Sequence, residues 1–184
     1  MQYAALFRGI NAGGKNSVKM DDLQQLFLAL GLLKVKTYIQ SGNVVFETDL
    51  EETHLQHGIC AGFMECFGFE SNVILRSINE LRALINKLPI SATKIAAAEA
   101  ADSQVEHLYV YFLDTPPEQS QIDDICKGFV GPDVLRKEDK EVYLLCYQSI
   151  RKSKLAIRAA KAFPSATVRN WKTVNKLYDM LSSL

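Results

Sequence analysis

The run Arg8-Gly9-Ile10-Asn11-Ala12-Gly13-Gly14-Lys15-Asn16 places three glycines within six positions and brackets them with two cations. Glycine reaches positive φ without penalty, so such a backbone can turn several N–H groups toward one point. N–H groups gathered in a concavity, with a helix start close by, make a seat for an anion. The spacing Gly9-x4-Gly14-Lys15 nearly spells the phosphate-binding pattern G-x-x-x-x-G-K-[ST]. Asn16 stands where the magnesium-holding hydroxyl belongs, and Ser17-Val18-Lys19 delays the helix that should open at the Gly-Lys pair. Both departures argue against a nucleotide triphosphatase. A tight connection with no ligand is the plain alternative.

A second set of chemistry-bearing residues lies near the C-terminus. On a helix expected from Ile150, residues Arg151, Lys154, Arg158 and Lys161 share one face. Arg169-Asn170-Trp171 then puts a cation and a capping Asn at another helix start. Trp171 either packs with Val174, Leu177, Tyr178 and Leu181 or stacks on a base or sugar. Catalytic patterns are missing. His54, His57 and His107 have no accompanying carboxylate pattern, and Ser41 and Ser153 have no sequence-evident His or Asp partner. Cys60, Cys66, Cys126 and Cys146 form no C-x-x-C pair, which reads as reduced structural thiols rather than a metal site.

These residues need elements to hold them. Apolar residues 3–7 read as a central strand, and Leu23, Leu26, Phe27 and Leu30 as one face of a helix from Met20. Val35–Ile39 and Val44–Phe46 flank the hairpin signal Gln40-Ser41-Gly42-Asn43. A helix over 52–67 and a strand over 72–75 follow, then the capping box Ser77-Ile78-Asn79-Glu80 opens a further helix. The alanine-rich, weakly patterned stretch 89–104 reads as a linker with room for a turn of helix around Ala96–Ala101 and no core element. The order then repeats: strand 108–113, helix 117–129, strands 134–136 and 142–146, helix 150–163, strand 166–169 and helix 171–181. Val73-Ile74-Leu75-Arg76-Ser77 and Ala166-Thr167-Val168-Arg169-Asn170 stand at matching places before the two trailing helices.

The expected fold is therefore α+β. Two tandem ferredoxin-like (βαββαβ plus trailing helix) units, 1–88 and 105–184, have antiparallel sheets with helices on one face. In such a unit the first strand–helix loop and the central hairpin meet at one sheet edge. Arg8, Gly9, Asn11, Gly13, Gly14 and Lys15 then join Gln40, Ser41, Gly42 and Asn43 as candidate ligand-binding residues, with Lys154, Arg169, Asn170 and Trp171 in the second half.

Several blocks resemble one family. These are Leu6–Lys15, Tyr38–Phe46, Arg76-Ser77, Ser153-Lys154-Leu155 and Arg169–Val174. In that order they resemble the family called domain of unknown function 1697. The resemblance implies a mostly bacterial, cytosolic protein of duplicated ferredoxin-like architecture. It implies no reaction and no cofactor.

Net charge is zero over 184 residues, which argues against a general nucleic-acid coat protein. The charge is unevenly spread: residues 151–184 carry eight Lys or Arg against one acid, and 99–124 carry seven acids without a cation. No signal peptide and no membrane-length apolar run is read, so a cytoplasmic setting is expected. The expected activity is recognition of a phosphorylated small molecule or nucleotide at the glycine loop. A nucleic-acid-binding module using the basic helix face is the second reading, and a protein-interaction domain the third. Whether the chain is an enzyme, its cofactors and its oligomeric state are left open by the sequence.

Overall fold

The computed structural model describes residues 1–14 and 16–184. The first half runs β1 (Gln2–Phe7), α1 (Met20–Ala29), β2 (Leu33–Tyr38), β3 (Asn43–Glu47), α2 (Glu52–Phe67), β4 (Val73–Ser77) and α3 (Ile78–Asn86). Its strands lie in the order β2-β3-β1-β4, each antiparallel to its neighbours. Tyr3, Ala5 and Phe7 alternate onto the helix face of β1, where they meet Leu23, Leu26 and Phe27 of α1 and Leu55, Ile59 and Phe63 of α2. The Phe7 and Phe63 rings lie 5.0 Å apart. Ala4 and Leu6, on the other face, are also fully buried. That two-sided burial is why β1 reads as an unbroken apolar run.

The ends of the elements follow local chemistry. Asp21 and Asp22 occupy the first turn of α1, where the helix dipole favours negative charge. Gly68 closes α2 in the left-handed region and donates its N–H to Met64 O at 2.9 Å. The box at the β4–α3 junction forms as expected: Ser77 N–H donates to Glu80 Oε2 (2.7 Å), and Glu80 N–H donates to Ser77 Oγ (3.2 Å).

The second half runs α4 (Ala92–Ala101), β5 (Leu108–Phe112), α5 (Gln119–Cys126), β6 (Val134–Glu138), β7 (Glu141–Leu145), α6 (Lys154–Ala162), β8 (Thr167–Asn170) and α7 (Trp171–Ser182). Its sheet has the order β6-β7-β5-β8, again antiparallel throughout. Tyr111, Val142 and Leu144 face α5 and α6. The described residues thus form two four-stranded antiparallel sheets and seven α-helices, a mixed α+β architecture. Among them no helix is long and apolar enough to cross a membrane.

Three expectations change. The linker stretch carries more than a turn of helix: α4 has ten residues and is capped by Ser91, whose side chain accepts from Lys94 N–H. Alanine propensity makes this helix while only Ala98 is buried, so no apolar period announces it. The helix expected from Ile150 is split: Ile150–Lys152 is a 3₁₀ turn, and Ser153 caps α6 by accepting from Ala156 N–H. Helices on one face is also incomplete for the second sheet. Tyr143 alternates with Val142 and Leu144 onto the other face, where its hydroxyl donates to Leu84 O in α3 at 3.1 Å.

The chain divides into two compact units, Met1–Arg82 with Asn175–Leu184, and Ala83–Val174. This division differs from the sequence boundaries. The end of α3 falls with the second unit and the end of α7 with the first.

Candidate functional site

The first unit brings the glycine loop and the β2–β3 turn together. Phe7 N–H donates to Gly42 O at 2.9 Å as the strand ends. Asn11 then fastens the loop: its Nδ2 donates to Val18 O (2.8 Å) and Gln40 O (2.9 Å), and its Oδ1 accepts from Val18 N–H (2.8 Å). Gly42 fits where only glycine can. Its φ is +75°, and a Cβ there would fall within the Ile10 side chain and 2.9 Å from Phe7 Cβ.

Beyond Asn11 the loop is a short exposed excursion. Asn11 N–H donates to Asn16 O at 3.0 Å and closes it. Gly13 and Gly14 have φ of +62° and +74°, left-handed values that glycine reaches without penalty. No described residue accepts from their N–H groups. Gly9, Asn11 and Asn16 also have positive φ. Across from them Ile39 sits at φ +50°, a strained value for a β-branched residue. The Arg8 backbone is held by Asn72 O (2.9 Å) and the Ser71 hydroxyl (2.9 Å), while no described group bonds its exposed guanidinium. Lys15 lies outside the described residues.

Some candidates serve the frame instead. Asn43 is fully buried, with Nδ2 donating to Tyr38 O and Ser41 Oγ at 3.0 Å each. The Asn11 side chain is spent on backbone groups. Gln40 remains exposed. The helix start contributes less than the sequence suggested: α1 opens at Met20, its N-cap Lys19 makes no side-chain cap, and Asp21 and Asp22 already occupy the positive end.

The second-half candidates do not gather at one point. Lys154 is exposed at the start of α6, which packs on the face of the sheet lined by Val168. Arg169 alternates to the opposite face, buried, with Nη1 donating to Val168 O at 2.9 Å; burial lowers its guanidinium to about 10. Asn170 caps α7 by accepting from Thr173 N–H at 2.8 Å. Half-buried Trp171 lines, with Lys172 and His107, a small depression of about 190 Å³. The basic stripe is also reduced. Arg151 lies outside α6, and Arg158 donates to Ile125 O and Lys127 O at 2.8 and 2.9 Å, holding the end of α5.

Sequence reasoning missed Asp133. Its Oδ2 accepts from the Ser153 hydroxyl at 2.7 Å and its Oδ1 from Tyr147 N–H at 3.0 Å. Twenty residues separate the pair, so no spacing announces it. Ser153 therefore has an Asp partner, yet its hydroxyl is committed to that carboxylate and to the α6 cap. His107, buried, has ring nitrogens 2.6 and 2.7 Å from Cys146 O and Asp102 O, a bracing role. All four cysteines are free thiols; Cys66 is exposed, and burial pushes the Cys146 thiol up to about 12. Among the described residues no group of three or more His, Cys, Asp or Glu is placed to hold a metal ion.

The model of a family described as "Protein of unknown function (DUF1697)" matches residues 1–143. A solved structure described as that of the conserved bacterial protein SP0830 from Streptococcus pneumoniae is similar, with a TM-score of 0.75 and 26% identity over 98% of each chain. No curated protein matches the chain.

Proposed function

This chain belongs to the DUF1697 family of proteins of unknown function, and from that premise we propose that its first unit recognises an anion, a phosphate-bearing small molecule or nucleotide. The seat is the loop 8–19 against the turn 39–42. We read both sheets as ferredoxin-like, which their strand order supports. A cytoplasmic setting fits four free thiols.

One observation carries the reading. The same step of the fold, first strand to first helix, takes twelve residues (8–19) in the first unit and six (113–118) in the second. Six suffice to close the fold. Among the described residues of the longer connection, Gly13 and Gly14 have positive φ and N–H groups that no described residue accepts, and no described group bonds the Arg8 guanidinium, features that suit an anion. Arg8 supplies charge, Gly13 and Gly14 supply N–H donors, and Gln40 orients the ligand from the turn.

A thermal-shift screen over nucleotides, sugar phosphates and short oligonucleotides tests this. One small phosphorylated class should raise Tm without dependence on oligonucleotide length. Arg8→Ala should leave the unliganded Tm unchanged and reduce the gain. An equal gain in Arg8→Ala, or stabilisation that grows with oligonucleotide length and falls steeply with salt, would overturn the reading.

A further inference from the structure

The second unit is elaborated at the other end of its sheet. Its α5–β6 and β7–α6 connections take seven and eight residues (127–133 and 146–153). The corresponding connections of the first unit, 30–32 and 48–51, take three and four. The longer pair encloses a depression of about 440 Å³. That lies within the roughly 300–1,000 Å³ range of small-molecule sites.

Its lining has two characters. Phe129, Pro132 and Tyr147 give it apolar and aromatic walls, and Lys152 and Lys154, both exposed, bring two cations to it. Val130 also lines it, 94% exposed, an apolar side chain left in water that no core contact requires. Asp133 is in the lining too, but both its oxygens are engaged, by Tyr147 N–H and by the Ser153 hydroxyl. That clasp ties the two connections to each other, so the depression is formed before any ligand arrives.

We propose that this depression binds a flat ring bearing one anionic group, the ring against Phe129, Pro132 and Tyr147 and the anion at Lys152 and Lys154. The ring gains apolar burial, Val130 included, and the lysines supply charge-assisted bonds. Ser153-Lys154-Leu155, singled out in the sequence, acquires a purpose: the serine builds the wall and the lysine meets the ligand. The site is independent of the glycine-loop reading.

Lysine acetylation of the intact protein, read by mass spectrometry, tests it. Adenosine 5′-monophosphate and phenylacetate serve as phosphate and carboxylate probes, with adenosine and inorganic phosphate as the halves of the first and toluene and acetate as those of the second. One intact probe should protect Lys152 and Lys154 but not Lys140 or Lys161, and the halves should protect weakly. The double variant Lys152→Ala/Lys154→Ala should raise the probe's Kd by about tenfold or more. Val130→Asp should also weaken the protection of Lys152 and Lys154, through repulsion at the rim, and Arg8→Ala should leave that protection unchanged. All these side chains are exposed, so each variant should keep the wild-type Tm. Failure of both intact probes to protect at millimolar concentration overturns the proposal. So does protection centred on other lysines, a double variant that binds as wild type, or a half that binds as tightly as the whole.

Discussion

The two strand-to-helix connections that leave the first strand of each sheet begin alike and then diverge. Phe7 N–H reaches Gly42 O in one unit, and Leu113 N–H reaches Lys140 O in the other, so the joint between strand and hairpin is the same. From Leu113 the chain passes Pro116 and Pro117 directly to a helix start with a capping box, Glu118 with Gln121. From Phe7 it instead makes the Asn11–Asn16 excursion and enters α1 without a side-chain cap. The hairpins differ in the same sense: residues 39–42 join β2 to β3, whereas residues 139–140 join β6 to β7. The economical version shows what the fold needs. What the first unit adds, including strain at Ile39, points beyond folding.

The largest expected effect separates the units by pH. In the second, burial raises the Tyr111 and Tyr143 hydroxyls and pushes the Cys146 thiol up to about 12. An acid raised in the folded state stays protonated there while the unfolded chain ionises. Its stabilisation is complete below the unfolded value of about 9 and is lost as pH climbs toward 12. Alkylation should therefore label exposed Cys66 in the folded protein and spare Cys146 until the second unit opens. Labelling of Cys146 at neutral pH as fast as Cys66 would contradict its burial.

Gly42→Ala strikes the joint itself. Left-handed strain and overpacking against Ile10 and Phe7 together should cost about 3 kcal/mol in urea denaturation. Lys140→Ala, at the matching joint, should change stability little. Equal effects would mean that the turn is not packed against the loop.

Asn11→Ala removes three hydrogen bonds and leaves Val18 N–H without its acceptor, an expected loss of about 2 kcal/mol. Smaller still are Ser77→Ala and Asn170→Ala, which remove equivalent caps and should each cost about 1 kcal/mol. A large inequality between these two would break the correspondence between the two strand-to-helix junctions.

Much of this frame was legible in the sequence. Leu23, Leu26 and Phe27 announce α1 by their period, Ser77 and Glu80 announce their box, and Asn170 its cap. The meeting of glycine loop and hairpin follows from the strand order. Other features have no local signal. The polar side chains of Asn11 and Asn43 look available for a ligand in sequence but turn inward to bind carbonyl groups. Arg169 reads as a surface cation because its place on the sheet face is a tertiary property. Arg158 reads as part of a stripe until the end of α5 is found beside it. The Ser153–Asp133 clasp joins two connections at one end of a sheet, and the Ser153 cap starts α6 inside a pattern whose periodicity runs on from Ile150 without showing the break.

The central claim, that the Gly13 and Gly14 N–H groups receive an anion, can be measured directly in an amide ¹H–¹⁵N spectrum. Inorganic phosphate should be titrated against chloride at constant ionic strength. Both glycine amides should shift saturably with phosphate and not with chloride, and Arg8→Ala should weaken the response. Stationary Gly13 and Gly14 signals at saturating phosphate, or equal shifts in the two salts, would contradict it.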